Sequence, residues 1–285
     1  MNEKIIKKKI PEIGELEYKI VSTREEFEGA VELVYKEYLM RGFILPKYYK
    51  SDLRITLHHA HPDTATFVVL KNKRVLATAT VIPDSPLGLP MDMGYKNETD
   101  KLRRAGRRIC EAGYLAIESE LFGRGLFSMF NFKKIDFMFS LFKLEFYYAL
   151  SFQRFDDICI VTNPKYMIFK FLPFEIIGKV KYYGYDRASV KKKAAVAKKL
   201  DLHETEERMK VRIGLYKLFF NSAVPKDIFR NKYKFSREDL HYFFVEKSDV
   251  FRELNKKEKE FICSCYGLTD EEFNQLLKGR FSRKG

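Results

Sequence analysis

The chain has 285 residues, 46% of them hydrophobic, and a formal net charge of +14 at pH 7. This length allows one large domain, or a domain of roughly 200 residues with an appendage. There is no run of about 18 uncharged apolar residues, so we expect no transmembrane helix. The charged N-terminus lacks the apolar segment of a secretion signal, and we expect a cytoplasmic protein, with peripheral contact to the inner membrane as an alternative.

The positive charge favours an anionic partner: nucleic acid, an anionic membrane surface or an acidic carrier protein. It does not choose between them, although no zinc-finger, RNP or helix-turn-helix signature supports nucleic acid. Four cysteines in a chain this long do not make a disulfide framework. Cys263 and Cys265 form a CxC motif without His or Cys partners at ligand spacing, so we expect no metal site.

The N-terminal part of the chain predicts a basic lead-in, a strand and a helix. Residues 1–15 form the lead-in, and Leu16–Val21 is a short strand candidate. Ser22 with Glu25 three residues later predicts a capping box. Apolar residues between Phe27 and Leu39 follow helical spacing, which predicts an amphipathic helix.

A hairpin and a basic helix are predicted next. Residues 43–63 show little periodicity and predict mostly loop. Thr66–Leu70 and Arg74–Ile82 read as two strands around a short turn. The segment 83–95 is rich in Pro and Gly and predicts a loop, and 97–106 predicts a short basic helix.

Residues 109–118 carry the apolar and small side chains of a buried central strand. Glu111 is then a carboxylate inside a buried strand, so it must be paired, raised in pKa or facing a wet cavity. A structural salt bridge to an arginine and a general base in a cleft both stay open. Strand alternation predicts one shared side for Ile109, Glu111, Gly113, Leu115 and Ile117.

A long helix is predicted from Phe132 to Gln153, after a turn at Gly123-Arg124-Gly125. It is apolar nearly all round, which is typical of a core helix covered on both sides. The alternative is that part of it lines a channel for an alkyl chain. The loop between the central strand and this helix is a place where backbone N–H groups can hold phosphates.

The rest of the chain predicts three more strands and then only helices. The predicted strands are 157–162, 176–183 and 194–200, and a short helix is predicted from Asn163 to Pro173. From residue 203 no strand pattern remains, and capping boxes at Ser236 and Thr269 predict helices. The element order indicates the α/β (α+β) class: residues 16–202 form a mixed central sheet flanked by helices, and 203–285 form a helical C-terminal extension.

Several segments resemble a known family of acyltransferases. They are VYKEYLMRGFI (34–44), LATATVIPDSPLGLPMD (76–92), KLRRAGRRICEAGYLAIES (101–119), CIVTNPKYMIFKFLPFEIIGKVKYYG (159–184) and KAAVAKKLDL (193–202). With the element order, they resemble the long-chain N-acyl amino acid synthases of the FeeM type. That family has the GNAT acyltransferase fold and is related to the acyl-homoserine-lactone synthases.

The resemblance implies an enzyme that transfers a long-chain acyl group from a thioester, usually on acyl carrier protein, to the amino group of an amino acid. No permanently bound cofactor is implied. Glu111 falls at the family's strand glutamate, which orients or deprotonates the amine. The phosphopantetheine arm of the donor would lie where strands 109–118 and 157–162 splay apart. The residues expected along it are Leu115, Ala116, Ile117, Gly123, Arg124, Gly125 and Asn163.

Two departures from the GNAT pattern bear on the donor and on proton transfer. The loop ELFGRGLFS has only Gly123 and Gly125, at irregular spacing, which favours a carrier protein over coenzyme A. Many GNAT enzymes carry a tyrosine as thiolate acid after the fifth strand. The nearest match here is Phe169, with Tyr166 a near neighbour, so no residue is assigned as the proton donor to the leaving thiolate.

The remaining site residues follow from the chemistry that the resemblance implies. The carboxylate of an amino acid pairs best with an arginine, and the candidates are Arg54, Arg103 and Arg107. An acidic carrier protein would be steered by Arg104, Arg108, Lys133, Lys134 and Lys165. The acyl chain would contact one helical stripe made of Phe132, Ile135, Phe139 and Phe142.

Two other functions stay open from the sequence. One is acyl transfer to a lipid or polyamine at the membrane surface, which would suit the Phe-rich segment 126–150 and the basic charge. The other is a non-catalytic basic module that binds nucleic acid or anionic membrane. The family motifs argue against the module, because binding alone gives no reason for a buried Glu111.

Overall fold

A mixed sheet of eight strands runs through the protein in the computed structural model, which describes residues 16–122, 132–166, 169, 171–184, 193–222 and 224–280. The main path of the sheet follows the order β1 (Glu17–Ile20), β2 (Ala65–Lys71), β3 (Arg74–Pro83), β4 (Ile109–Ile117), β5 (Asp157–Thr162), β8 (Lys193–Asp201) and β6 (Glu175–Ile176). Strand β7 (Lys181–Tyr183) pairs with β8 beside this path. Among the strand pairs of the described residues, β4 and β5 are parallel and the others are antiparallel. The predicted mixed sheet flanked by helices is therefore confirmed, and the lead-in 1–15 lies outside the described residues.

The elements up to the central strand lie close to their predicted places. They are β1 (Glu17–Ile20), α1 (Arg24–Met40), β2 (Ala65–Lys71), β3 (Arg74–Pro83), α2 (Asp92–Arg104) and β4 (Ile109–Ile117). The predicted cap of α1 is shifted by one residue. Thr23 is the N-cap and accepts from Glu26 N at 3.3 Å, while Ser22 N donates to Glu26 Oε2 at 2.8 Å. The reason is that Thr23 has the extended backbone of a cap residue.

Helix α2 begins earlier than predicted, at Asp92, inside the segment expected to be loop. Asp92 Oδ2 accepts from Leu89 N at 3.0 Å, and a carboxylate in the first turn of a helix is favourable. Tyr95 in this first part is completely buried, and its backbone departs from helical angles. Helix α2 therefore has a first turn inside the Pro- and Gly-rich segment, followed by a kink at the buried Tyr95.

The next elements are α3 (Ser119–Phe122), α4 (Phe132–Tyr147) with a π-helical turn (Tyr148–Phe152), β5 (Asp157–Thr162), β6 (Glu175–Ile176), β7 (Lys181–Tyr183) and β8 (Lys193–Asp201). The short helix predicted from Asn163 to Pro173 lies partly outside the described residues; turns are found within 163–166 and over 171–173, and Phe169 has 3-10 conformation. Asn163 Oδ1 accepts from Lys165 N at 2.9 Å, which favours a turn over a helix. The predicted strand 176–183 is split into β6 and β7 around Gly178.

Strands β4 and β5 separate part way along their length. Their ladder pairs Ile109 with Asp157, Cys110 with Ile158 and Glu111 with Cys159. Beyond this point β4 continues beside β3, and β5 continues beside β8. The edge of β4 from residue 112 to 117 that faces β5 therefore has no strand partner in the described part of the chain.

A bulge in β4 changes which side chains share a face. Tyr114 has a left-handed φ of 50°, and the β3–β4 register shifts between Thr78 and Thr80. Tyr114 consequently packs in the same core as Ile109, whereas Leu115 packs in the opposite core. The predicted shared face from residue 109 to 117 is wrong, because a bulge inverts the alternation of the residues that follow it.

Each face of the sheet is covered by one apolar core. The first core lies between the sheet and α1 and includes Phe243 and Phe273 from the C-terminal helices. The second lies between the sheet and α4 and includes Phe219 and Phe229. A sheet buried on both faces explains why its strands read as apolar runs.

The described residues after Asp201 form helices and turns and no further strand. The helices are α5 (Thr205–Met209), α6 (Ile213–Phe220), α7 (Arg237–His241), α8 (Lys256–Tyr266) and α9 (Asp270–Leu277). The capping boxes predicted at Ser236 and Thr269 are both present. No helix in the described ranges has both the length and the apolar character needed to cross a bilayer. The division of the chain at residue 202 stays a prediction.

Candidate active site

A cavity of about 660 Å³ lies where β4 and β5 separate, and it passes from one face of the sheet to the other. On the α1 side it is lined by residues that include Tyr38 and Arg54. On the α4 side it is lined by residues that include Phe139 and Phe142. Glu111 lines it at the last paired position between the two strands. One opening in the sheet thus joins a polar compartment to an apolar one.

The edge of β4 supplies part of the cavity wall. Leu115 and Ile117 line the cavity, whereas Ala116 is not among its described lining residues and is buried in the α1-side core. Asn163 follows the lining residue Thr162 and is half-buried. An unpaired strand edge can hydrogen-bond an extended chain that contains amides. The predicted phosphate loop Gly123-Arg124-Gly125 lies outside the described residues.

Glu111 is buried, with 5% of its surface exposed, and the only hydrogen bond to its carboxylate among the described residues comes from Met91 N to Oε2 at 2.7 Å. No described Lys, Arg or His forms an ion pair with it, so the salt-bridge interpretation has no partner in that part of the chain. Burial raises the pKa of Glu111 to about 8, against the lowering effect of the Met91 hydrogen bond, and Asp92 raises it further. A carboxylate of that pKa matches a general base working near neutral pH.

Arg54 brings a buried positive charge to the same side of the sheet. Its guanidinium lies over the rings of Tyr38 at 5.0 Å and Tyr114 at 4.5 Å, and 2% of the residue is exposed. The Tyr114 hydroxyl also lies 3.0 Å from Thr56 Oγ1. Burial raises the pKa of Tyr114, and the Glu111 carboxylate adds to that rise against the opposing effect of Arg54. Arg54, Tyr114 and Glu111 are therefore close enough to act on one ligand.

The other two arginines predicted for the acceptor are held by carboxylates, and neither is among the described lining residues of the cavity. Arg103 contacts Asp84, Asp92 and Asp100, each at 2.7 Å. Arg107 pairs with Asp157 and Asp201 and so ties the start of β4 to β5 and β8. Their ion pairs raise the pKa of both arginines, mainly through Asp84 for Arg103 and Asp157 for Arg107. Of the three candidates, the cavity brings only Arg54 to Glu111.

One stripe of α4 lines the apolar part of the cavity. Ile135, Phe139 and Phe142 from the predicted stripe all line it, and the side chains of Phe132 and Lys133 lie outside the described residues. Two members were missed, Met138 and Glu145. The spacing of three and four residues would have identified both.

The predicted docking cations fall at opposite ends of β4. Lys134 lines the cavity, and Lys165 is exposed after β5. Arg104 and Arg108 are exposed just before β4 begins, and Arg108 Nη2 donates to Gln153 O at 2.9 Å. Because a strand rises about 3.3 Å per residue, Arg108 is roughly 25–30 Å along β4 from Ile117. The structure therefore does not bring Arg104 and Arg108 together with Lys134.

A different set of cations surrounds the far end of β4. Glu37 Oε1 accepts from Ser119 N at 2.8 Å, directly after β4, and Glu37 Oε2 accepts from Arg41 Nη2 at 2.8 Å. Lys193 Nζ donates to Arg41 O at 2.8 Å. The pKa of Lys134 is lowered by burial and then by nearby Arg41. Arg41 and Lys193 were missed because they come from segments remote in sequence from Lys134.

The mixed sheet that opens between two parallel strands, with a buried carboxylate at the opening, has the architecture of the GNAT fold of acyltransferases. A family model described as "N-acyl amino acid synthase FeeM" matches residues 29–191. Since this match covers more than half of the chain, the protein belongs to the FeeM family and is an N-acyltransferase.

Three solved structures are similar to this chain, and the first of them supports the fold. The structure of FeeM from uncultured soil microbes is 25% identical, with a TM-score of 0.57 over 70% of this chain and 97% of that one. The acyl-homoserine-lactone synthase LasI is 14% identical, with a TM-score of 0.45 over 74% and 97%. The coenzyme A-dependent synthase BjaI is 12% identical, with a TM-score of 0.45 over 75% and 99%. No curated protein matches the chain.

Proposed function

We propose that this enzyme transfers a long acyl chain from the thioester of an acyl carrier protein to the amino group of an amino acid, forming an N-acyl amino acid. The observation that carries the proposal is the position of Glu111 in the cavity, with Arg54 on its polar side and the α4 stripe on its apolar side. Membership of the N-acyl amino acid synthase family supports it.

The acceptor would bind on the α1 side of the sheet. Its carboxylate would pair with the Arg54 guanidinium, which the rings of Tyr38 and Tyr114 hold in place. Its amino group would then lie beside Glu111, which removes a proton as the amine attacks the thioester carbonyl. An amide bond forms and the C–S bond breaks. The leaving thiolate takes up a proton, for which we propose Tyr166, a cavity residue that follows β5.

The donor would enter beside the unpaired edge of β4. Amides of its phosphopantetheine arm would hydrogen-bond to the backbone at Leu115 and Ile117, which places the thioester between the two strands. The phosphate and the acidic carrier protein would meet the cations at the end of β4, namely Arg41, Lys134 and Lys193. Positive charge on this rim favours an acidic carrier and accelerates its encounter with the enzyme.

The acyl chain would leave water on the α4 side. Each buried methylene contributes about 0.8 kcal/mol, so an apolar wall of this kind selects for long chains. Ile135, Met138, Phe139 and Phe142 supply that wall.

Two experiments test the function. The chain is expressed in a bacterium, and the lipid extract is searched by mass spectrometry for new N-acyl amino acids. The purified enzyme is then given one acyl chain, on acyl carrier protein and on coenzyme A in parallel, with a panel of amino acids. A polyamine and an aminolipid are tested as acceptors in separate reactions. New N-acyl amino acids that disappear with Glu111→Gln support the proposal. Transfer to the polyamine or aminolipid alone would overturn the acceptor assignment, and a preference for coenzyme A would overturn the donor assignment.

A further inference from the structure

A second buried carboxylate lies in the apolar part of the cavity. Glu145 has 4% of its surface exposed and lines the cavity three residues after Phe142. Its Oε1 has no hydrogen-bond partner, and no described residue forms an ion pair or a hydrogen bond with the carboxyl group. The base of the proposed reaction, Glu111, lies on the strand opposite, so the proposed chemistry leaves Glu145 without a role.

The position of Glu145 is deep in the apolar compartment. Along α4, it lies about 15 Å from Ile135, because a helix rises 1.5 Å per residue. Glu145 also contributes to the raised pKa of Cys110, after burial and Cys159, which places it near the first residues of β4. The cation cluster at Lys134 is at the other end of the stripe.

An unpartnered carboxyl group in such surroundings is costly unless a ligand completes it. Burial raises the pKa of Glu145 to about 8, so the group is mostly protonated at neutral pH. A protonated carboxyl group offers one O–H donor and a carbonyl acceptor. A hydroxyl group complements both at once, whereas an unsubstituted alkyl chain satisfies neither.

We propose that Glu145 recognises a hydroxyl group on the acyl chain, so that the preferred donor is a hydroxylated long-chain acyl thioester. This inference deepens the proposed function and depends on the α4 side of the cavity holding the acyl chain. Glu145 acts here as a specificity-determining residue and not as a participant in acyl transfer.

The test compares matched acyl thioesters that differ by one hydroxyl, with the hydroxyl moved along the chain. At one position we expect the wild-type kcat/KM to exceed that of the unsubstituted chain by about 3- to 10-fold, the scale of one buried hydrogen bond. Glu145→Leu should remove or reverse this ratio. Glu145→Gln, which still donates and accepts, should keep part of it. Leu144→Met, on the same helix but outside the described cavity lining, alters shape without adding a charge or a hydrogen-bonding group and should leave the ratio unchanged.

A binding measurement separates this inference from the proposed function. Thermal shifts of the wild type with hydroxylated and unsubstituted free fatty acids need no acyl transfer. A larger shift with the hydroxylated acid, lost in Glu145→Leu or reduced in Glu145→Gln if the leucine variant does not fold, supports the role of Glu145 even if no amine is acylated. Equal ratios and equal shifts in wild type and both variants would overturn it, even if N-acyl amino acids are made.

Discussion

The sharpest prediction concerns the ionisation of Glu111. Because its pKa is about 8, roughly a tenth of this carboxylate is ionised at pH 7 and roughly nine-tenths at pH 9. If Glu111 is the base, the activity that depends on it should rise about tenfold over this range. The amine substrate also loses protons as pH rises, and Glu111→Gln serves to subtract that contribution.

Glu111→Gln keeps the size of the side chain and an oxygen that can accept from Met91 N, so we expect an intact fold. We expect kcat/KM to fall by about 10²–10⁴-fold, the usual contribution of a positioned base. The assay is kcat/KM from pH 6.5 to pH 9.5 for both proteins with the same acyl donor. The ratio of wild type to variant should increase about tenfold between pH 7 and pH 9. A flat ratio, or near-normal turnover of a folded variant, would refute the role of Glu111.

Three further predictions follow from the cavity. Phe139→Ala or Phe142→Ala should shift the preferred acyl chain towards longer homologues in a chain-length series, because each removes a wall of the apolar compartment. Lys134→Glu should lower kcat/KM with acyl carrier protein more than with acyl coenzyme A, and the wild-type reaction with the carrier should weaken as salt rises. Glu145→Gln should stabilise the fold relative to wild type, and this gain in unfolding free energy should be several kcal/mol larger at pH 9 than at pH 5. The folded pKa of about 8 exceeds the ordinary 4.5, so the wild-type native state loses stability as pH rises from about 4.5 to about 8.

Matched variants make each of these results interpretable. Phe137→Ala on α4 removes a buried ring outside the described cavity lining, so it should cost about 3–5 kcal/mol of stability without changing chain preference. Lys256→Glu changes the charge of a remote, exposed residue and should not affect the choice of carrier. Glu118→Gln removes a buried carboxylate that pairs with Lys36 and Arg74, so it should destabilise the fold. Identical behaviour of a test variant and its control would contradict the corresponding prediction.

Much of the fold and part of the site could be predicted from the sequence, because those features depend on local patterns. Apolar runs located the strands, three- and four-residue spacing located α1 and the α4 stripe, and a lone carboxylate in an apolar run drew attention to Glu111. The resemblance to the FeeM family, which the family match confirms, came from contiguous motifs. The same local reasoning failed at the start of α2, where a helical turn inside Pro- and Gly-rich sequence precedes a kink at the buried Tyr95.

What the sequence alone determined is therefore the order of strands and helices, the family and the position of one buried glutamate. Only the tertiary structure decided which charges meet, because ion pairs join residues far apart in the chain. Arg107 is held by Asp157 and Asp201, while Arg54 remains beside the cavity. The left-handed bulge at Tyr114 also follows from strand pairing, and with the separation of β4 from β5 it creates the opening at which acyl transfer is proposed to take place.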